Sequence, residues 1–354
     1  MNKIRFFLIC LIPLQWIVIV WVSKHPEWIE TYYSERFYTF IYKSHKFFFE
    51  NLTFSFGDVL YGLSLLTIIL SFIQSIKKRK FFFKSFLKNG LAIISFISLV
   101  FYLSWGLNYY RLPLHKTLNY SSIYNENQLT NTFQKLIEIS NSLHQNLSEA
   151  DSLALQIPYS KQKLLEMIEK NFFFKPKEFN IKPYLKSSIW STLLSYMGYA
   201  GYLNPFTLES QINDRIPKLS YITTASHEMA HQFGIASESE ANFIAFYTSI
   251  NHPDPFIKFA GSSLALRYFY SELYKVNPIL ATKSIAKLSP GILKNFKQLS
   301  VFWKKFQNPF EPYLKKSYDS FLKANGQTNG IKSYNDMVGL VIAYFEVGEF
   351  NLDN

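Results

Sequence analysis

One short segment of the chain, SHEMAH at residues 226–231, combines side chains that bind metals with one that moves protons. On a helix, residues four apart differ by about 40° in azimuth, so His227 and His231 project from one face and can bind one tetrahedral metal ion. Glu228 lies about 100° from His227, near enough to orient a metal-bound water without binding the metal. Zinc lowers the pKa of such a water to roughly 7 and polarises a carbonyl group. The segment therefore predicts a zinc-dependent hydrolytic site with Glu228 as general base.

A third metal ligand is expected in the stretch that follows, GIASESEAN at residues 234–242. If the first helix continued, Glu238 would lie about 10 Å along its axis beyond the second histidine, too far to share the ion. Gly234 can adopt φ > 0, end the helix and turn the chain back toward the metal. A new helix from Glu238 to about Ile250 would place Glu240 about 200° away, which favours Glu238 as the ligand. The plainer alternative is that both glutamates only stabilise a helix N-terminus.

These residues carry a resemblance. HEMAH followed by ESEAN resembles the gluzincin metallopeptidases, in which HExxH supplies two ligands and a glutamate opening an E-x-x-A-N or E-x-x-A-D stretch supplies the third. It is also similar to a family of bacterial membrane proteins with an HELAHQ-G-type motif and E-x-E-A-N close behind it. Further matching stretches are SYMGYAGYLNPFTLESQIN and KSYNDMVGLVIAYF.

By position, the resemblance implies His227, His231 and Glu238 as zinc ligands and Glu228 as general base. Asn242 takes the place where many gluzincins have an aspartate that orients a histidine, so we expect its support of the histidine to differ. The spacer before Glu238 is also much shorter than in the thermolysin type.

The first third of the chain contains apolar stretches that are long enough to cross a bilayer, for which a helix needs roughly 20 residues. They cover residues 6–23, 59–76 and 89–110. None contains Asp, Glu, Lys, Arg or His. The first stretch could alternatively be a cleaved signal peptide, because Lys3 and Arg5 precede its apolar core. No small-x-small cleavage pattern appears before Lys24, so we expect an uncleaved anchor.

The loop at residues 77–88 carries six basic residues and no acidic one, which predicts a cytoplasmic location by the positive-inside rule. Together with the resemblance, this predicts a multi-pass protein of the bacterial inner membrane. Residues 1–111 would form the membrane domain, and residues 112–354 a zincin-like metallopeptidase domain outside the cytoplasm. Residues 24–58 have aromatic residues at near-helical spacing, which predicts an amphipathic helix on the outer membrane surface or against the second domain.

Residues beyond 112 have mainly helical periodicity. Apolar spacing predicts helices at 131–147, 161–173, 255–273, 294–306 and 336–345. The best strand candidate is 202–212, but Pro205 would confine it to a sheet edge. The expected fold is therefore mainly α: three transmembrane helices, followed by a mostly helical extramembrane domain with a small edge-strand element.

Other functions fit the sequence less well. The net charge of +12 would suit a nucleic-acid binder, but the basic residues are scattered apart from those at 77–80, which lie between two spans. We therefore expect zinc as cofactor, the lipid bilayer and a peptide or protein substrate as partners, and no nucleic acid. A site-2-type intramembrane protease is disfavoured because the residues around HEMAH form no span. A non-catalytic zinc-binding membrane sensor or scaffold stays open, although such a site has no need of Glu228.

The remaining candidates are weaker. Cys10 is the only cysteine, so a metal site must use histidines and carboxylates. Tyr334 could stabilise an oxyanion or be a buried structural tyrosine, and Arg267 and Glu209 could bind substrate. The isolated histidines are expected to be surface or interface groups: His25, His45, His115, His144 and His252.

Overall fold

A computed structural model describes residues 3–77, 83–118, 123–172, 174, 182–327, 330 and 336–347. The described residues form a mainly helical fold with one small sheet, which confirms the predicted fold class. The chain divides into two compact units. The membrane-helix unit comprises Met1–Leu112 and Asn204–Glu209, and the site unit comprises Pro113–Leu203 and Ser210–Asn354.

The membrane-helix unit is a series of helices joined by short turns. They are α1 (Lys3–Val22), α2 (Pro26–Trp28), a π-helix (Ile29–Phe37), α3 (Tyr38–Phe49), α4 (Phe56–Lys77), α5 (Phe83–Ser104) and a 3₁₀ helix (Gly106–Tyr110). Among the described residues, α1, α4 and the Leu87–Ser104 part of α5 are long and apolar enough to cross a bilayer. At most 17% of the most apolar window of each is buried, as expected of helices that face lipid. These helices indicate association with a membrane. Their orientation stays a prediction, since residues 78–82 of the basic loop lie outside the described residues.

The third spanning helix begins and ends earlier than the sequence pattern predicts. It ends at Ser104 rather than at residue 110, and the 3₁₀ helix follows. Gly106 permits this close turn, because a Cβ atom there would lie 2.5 Å from the Phe101 ring. The apolar run continues past the break, so hydropathy alone could not locate the end of the helix.

The connection between α1 and α4 is helical, as predicted, but part of it has π-helical geometry. Its inner face is closely packed, and the Tyr33 side chain is only 4% exposed. The Tyr33 hydroxyl donates to the carbonyl of Leu103 at 3.0 Å. Glu30 pairs with the Arg111 guanidinium and accepts from the backbone N–H of Leu112 at 3.2 Å. These bonds join the connection to the end of the membrane-helix unit.

The site unit contains further helices and three short strands in its described residues. The helices are α6 (Leu114–Thr117), α7 (Glu126–Leu147), α8 (Lys161–Lys170), α9 (Ser191–Met197), α10 (Lys218–Gln232), α11 (Glu238–Ile250), α12 (Pro255–Val276), α13 (Pro278–Ile285), α14 (Pro290–Lys304), α15 (Glu311–Ala324) and α16 (Met337–Val347). The strands are β1 (Leu185–Ser187), β2 (Gly201–Leu203) and β3 (Ser210–Ile212). Each predicted helix is confirmed within α7, α8, α12, α14 or α16, with ends that differ by a few residues. The sequence pattern did not identify α13 and α15.

The predicted single strand at 202–212 is wrong, because the segment forms two strands. β2 pairs antiparallel with β3, with Gly201 opposite Ile212, and β3 also pairs in parallel with β1. Residues 204–209 lie between the two strands. There the Asn204 side chain accepts from the N–H groups of Phe206 and Thr207, a turn that residues such as Asn favour. Pro205 therefore occupies a turn, and β3 is the central strand.

Candidate metal centre

A tight turn separates α10, which carries the SHEMAH segment, from α11. Gly234 has φ = 75°, a left-handed conformation that suits glycine. Its N–H donates to the carbonyl of His231 at 3.0 Å, and the N–H of Ile235 donates to the carbonyl of Ala230 at 3.3 Å. This bonding pattern ends α10 and reverses the chain. Next, α11 begins at Glu238, as the sequence predicts.

The turn brings three side chains together: His227, His231 and Glu238. Nε2 of His227 lies 3.1 Å from Nε2 of His231 and 3.2 Å from Oε2 of Glu238. The third distance, from Nε2 of His231 to the same carboxylate oxygen, is 3.7 Å. Zinc with ligands at about 2.0–2.1 Å and tetrahedral angles spaces its ligand atoms about 3.3 Å apart. The three atoms thus form a triangle of the size that a tetrahedral zinc ion requires.

The Nδ1 atom of each imidazole donates a hydrogen bond that fixes the orientation of the ring. Nδ1 of His227 donates to Oδ1 of Asn242 at 3.0 Å, and the Asn242 amide donates in turn to the Tyr268 hydroxyl at 3.0 Å. Nδ1 of His231 donates to the carbonyl of Ile235 at 2.6 Å. Because both Nδ1 atoms hold a proton in these bonds, the Nε2 atoms are the ones left to bind a metal, once any proton on them is released. Asn242 thus supports His227 with an amide in place of an aspartate.

The same groups are electrostatically coupled. Burial alone would raise the pKa of Glu238, but the charges and hydrogen bonds of His231 and His227 outweigh it and hold that pKa well below its usual range. Burial lowers the pKa of His231, but the Glu238 carboxylate outweighs this and raises the pKa to about 9. The buried carboxylate therefore requires a positive charge beside it. A divalent cation would supply that charge in place of the histidine proton.

Glu228 lies beside the triangle and is only 4% exposed. Burial raises the pKa of its carboxyl group to about 7, against the opposing effect of the two histidines. Its Oε2 atom is buried and has no hydrogen-bond partner among the described residues. A buried carboxylate oxygen without a partner is costly unless another molecule uses it. Its pKa near neutrality suits a group that accepts and returns a proton at physiological pH.

The small sheet packs against α10 at Glu228. A Cβ atom at Gly201 of β2 would lie 2.7 Å from Oε1 of Glu228, so only glycine allows this close approach of strand and carboxylate. The Ser210 hydroxyl of β3 donates to the carbonyl of Glu228 at 2.7 Å. Further along α10, the buried Gln232 amide accepts from the N–H of Tyr184 at 2.9 Å and donates to its carbonyl at 2.7 Å. These bonds fix the position of α10 against the sheet.

The outer edge of β2 presents backbone hydrogen-bonding groups. The N–H of Asn213 donates to the carbonyl of Ala200 at 2.9 Å, which makes these two residues a hydrogen-bonded pair. Such pairs alternate along antiparallel strands, so Gly201 and Leu203 direct their N–H and C=O groups away from β3. Since β2 is the last strand of the sheet, these groups face its open edge. An edge of this kind can pair with an extended peptide.

Sequence reasoning missed Tyr318, which lies on α15. Its hydroxyl donates to Oε1 of Glu238 at 2.7 Å, and its ring packs edge-on against Tyr199 with centroids 5.8 Å apart. Burial, together with the charge of Glu238, raises the pKa of Tyr199. No local signal marks this tyrosine, because it is 80 residues from the glutamate it contacts. Tyr334, the predicted oxyanion candidate, lies outside the described residues.

The other charged candidates lie elsewhere. Glu240 accepts from the backbone N–H of Leu114 at 2.6 Å, so it does not join the triangle. Glu209 belongs to the membrane-helix unit, where it accepts from the N–H groups of Phe56 and Gly57 at the start of α4. Arg267 is exposed. None of these side chains completes the candidate centre.

Two of the isolated histidines differ from their predicted surface role. His144 and His252 are 0% and 1% exposed. His144 contacts the carbonyl of Leu153 at 2.9 Å, and His252 accepts from the N–H of Asp254 at 3.0 Å. Both therefore bond to nearby backbone turns inside the site unit. The positions of these histidines in the sequence could not reveal such contacts.

The fold and the site together define a helical, membrane-associated protein with a candidate His–His–Glu metal centre. The chain belongs to the family described as Protein of unknown function (DUF3810), whose profile matches residues 33–342. The match includes all of α10 and α11. Comparisons with curated proteins and with solved structures gave no match.

Proposed function

We propose that this protein is a membrane-anchored zinc metallopeptidase that hydrolyses peptide bonds. The observation that carries the proposal is the triangle of His227, His231 and Glu238 beside a buried Glu228 carboxylate with an unsatisfied oxygen. Structural zinc sites use four protein ligands, whereas hydrolytic sites use three and keep one position for water or substrate. Three such ligands converge in the described residues. A purely structural site would also gain nothing from a buried carboxylate at Glu228.

The chain supplies the proton transfers of this reaction. When bound, zinc supplies a Lewis acid that polarises the scissile carbonyl and lowers the pKa of a coordinated water to about 7. Glu228 accepts the proton of the water whose oxygen attacks the carbonyl carbon. It then delivers that proton to the leaving nitrogen as the C–N bond breaks, so the carboxylate is regenerated. Burial, which raises the pKa of this carboxyl group in the metal-free chain, favours its taking up and returning a proton.

A peptide substrate is supported by the open edge of β2. The backbone groups of Gly201 and Leu203 at that edge match the donors and acceptors of an extended chain. Gly201 also contacts the catalytic carboxylate, so a chain paired with β2 would lie close to Glu228. We infer that the substrate binds in extended form, as an additional strand.

The proposed location is the bacterial inner membrane, with the site unit outside the cytoplasm. The three apolar helices support the membrane anchor, and the basic loop at residues 77–88 supports the orientation. The substrates would then be extracytoplasmic peptides or proteins.

Metal analysis and peptide cleavage test the proposal. The full-length chain, purified in detergent, should contain about one zinc ion, consistent with one centre of three protein ligands. It should cleave members of a mixed peptide library. Chelation should abolish cleavage and added zinc should restore it, while His231→Ala should lack both metal and activity. Bound zinc without zinc-dependent cleavage of any peptide would favour a metal-binding sensor or scaffold instead.

A further inference from the structure

Exposed apolar side chains gather on α9 and the two residues before it. Ile189, Leu193 and Tyr196 are 55%, 52% and 48% exposed. Leu193 and Tyr196 lie three residues apart on one face of α9, and Ile189 lies in the turn just before the helix. Trp190 lies next to them and is 39% exposed. Adjacent exposed apolar side chains of this kind typically mark a contact with another surface.

The connection between α14 and α15, together with the first turn of α15, extends this surface. Phe310 and Tyr313 are 74% and 75% exposed. Two contacts join the connection to α9: the Phe306 ring packs edge-on against Tyr196 with centroids 5.1 Å apart, and the Asn308 amide donates to the Tyr196 carbonyl at 2.7 Å. The two segments therefore form one surface, the aromatic patch. It consists of Ile189, Trp190, Leu193, Tyr196, Phe310 and Tyr313.

Lysines adjoin the aromatic patch along the sequence. Residues 290–316 contain six lysines and one acidic residue, Glu311. Glu311 pairs with Lys315 at 2.6 Å, and the segment keeps a net charge of +5. The exposed lysines of this segment are Lys294, Lys297, Lys304, Lys305, Lys315 and Lys316. Exposed apolar and aromatic side chains next to basic residues are typical of surfaces that bind an anionic membrane.

We propose that the aromatic patch binds the anionic headgroup layer of the membrane that anchors the chain. Tryptophan and tyrosine prefer the interface between headgroups and acyl chains, and each nearby lysine is attracted by the negative surface potential. The spanning helices hold the lipid surface at high effective concentration, so a weak contact suffices. An apolar surface alone would suit a protein partner equally well. The excess of lysine selects anionic lipid.

The contact has a consequence for the candidate centre. Tyr313 of the patch and Tyr318, which donates to Glu238, both belong to α15. Contact with lipid at one end of this helix would therefore restrain the helix that holds a metal ligand. The inference itself does not depend on peptidase activity.

A fluorescent label tests the proposal in the full-length chain. In a Cys10→Ala background, Phe310→Cys carries an environment-sensitive dye, and the protein is placed in phosphatidylcholine nanodiscs with or without phosphatidylglycerol. The matched control is Ile279→Cys on α13, which is also apolar and 70% exposed but lies outside the patch. With phosphatidylglycerol, the dye at residue 310 should emit at shorter wavelength and be quenched by spin-labelled headgroups. The dye at residue 279 should not respond.

Charge neutralisation provides the second arm. Changing Lys304, Lys305 and Lys316 to Gln should each lower the docking equilibrium constant roughly fivefold at low salt, and high salt should do the same for the unchanged chain. An unchanged thermal unfolding transition serves as the check that these variants fold. Identical behaviour of the dyes at residues 310 and 279 would overturn the proposal. So would a response at residue 310 that requires an added acidic peptide and ignores the lipid, since the partner would then be a protein.

Discussion

Gly201→Ala should separate catalysis from metal binding, because the three atoms nearest an added Cβ belong to Glu228 and Gln211 and not to a metal ligand. The added Cβ atom would lie 2.7 Å from Oε1 and 2.8 Å from Cγ of Glu228, and 2.9 Å from the carbonyl oxygen of Gln211. Strand backbone blocks relaxation on one side, so the carboxylate must move. A displacement of about 1 Å at a reacting group costs about 10²-fold in rate. We therefore expect kcat/KM to fall by about 10²-fold.

Stability should change less than activity. Overpacking costs about 1–3 kcal/mol, and the loss of glycine freedom in the unfolded chain returns about 0.4–1 kcal/mol. A net destabilisation of about 1–2 kcal/mol should therefore lower the thermal midpoint without unfolding the protein. Zinc per chain should equal that of the wild type, because His227, His231 and Glu238 are untouched.

The assay measures kcat/KM, per bound zinc, for a peptide that the wild type hydrolyses. Thermal unfolding of each variant is measured in parallel. Gly261→Ala on α12 is the matched control, since its Cβ would meet Cβ of Ser249 at 2.7 Å, far along α11 from the metal ligands. It should lose comparable stability and keep its kcat/KM. Wild-type activity in Gly201→Ala, or equal losses of activity in both variants, would refute the assigned contact between β2 and the general base.

Three further predictions concern the metal and the membrane. Glu238→Ala should lower zinc content far more than Glu240→Ala, because Glu240 bonds the Leu114 N–H and is not part of the triangle; equal zinc contents would contradict this ligand assignment. The pKa of His231 is raised from 6.5 to about 9, so in the zinc-free protein this pairing contributes stability that is fully present below pH 6.5 and is lost as the pH rises through 9. Zinc affinity should accordingly rise about tenfold per pH unit between these values, with proton release in calorimetry; a pH-independent affinity would contradict the pairing. A protease added on the outer side of the membrane should cut near Ala150, because the site unit is expected outside the cytoplasm. Protection of this site from the protease would reverse the orientation.

The sequence was sufficient to locate the candidate centre because its signals are local. His227, Glu228 and His231 lie within one helical turn and a half, and the φ requirement at Gly234 explains how the next helix approaches the same point. The helical phase then brings Glu238 to the histidines and turns Glu240 away, as the distances show.

Features that depend on distant packing could not be predicted in this way. Tyr318 reaches Glu238 across 80 residues, and nothing in the pattern of α15 marks it. The contact of Gly201 with Glu228 likewise requires the hairpin of β2 and β3, which the sequence suggested as one strand. Periodicity reports which face of a segment is apolar, but not which segment lies opposite.

The most direct test of the proposed hydrolytic centre is the peptide cleavage rate per bound zinc of Glu228→Gln beside wild type. The substitution removes the proton acceptor and leaves His227, His231 and Glu238 in place. Zinc content should be unchanged, and the rate should fall by about 10²–10⁴-fold, the usual contribution of a general base. A wild-type rate in this variant, or a loss of zinc equal to that of His227→Ala, would contradict the account.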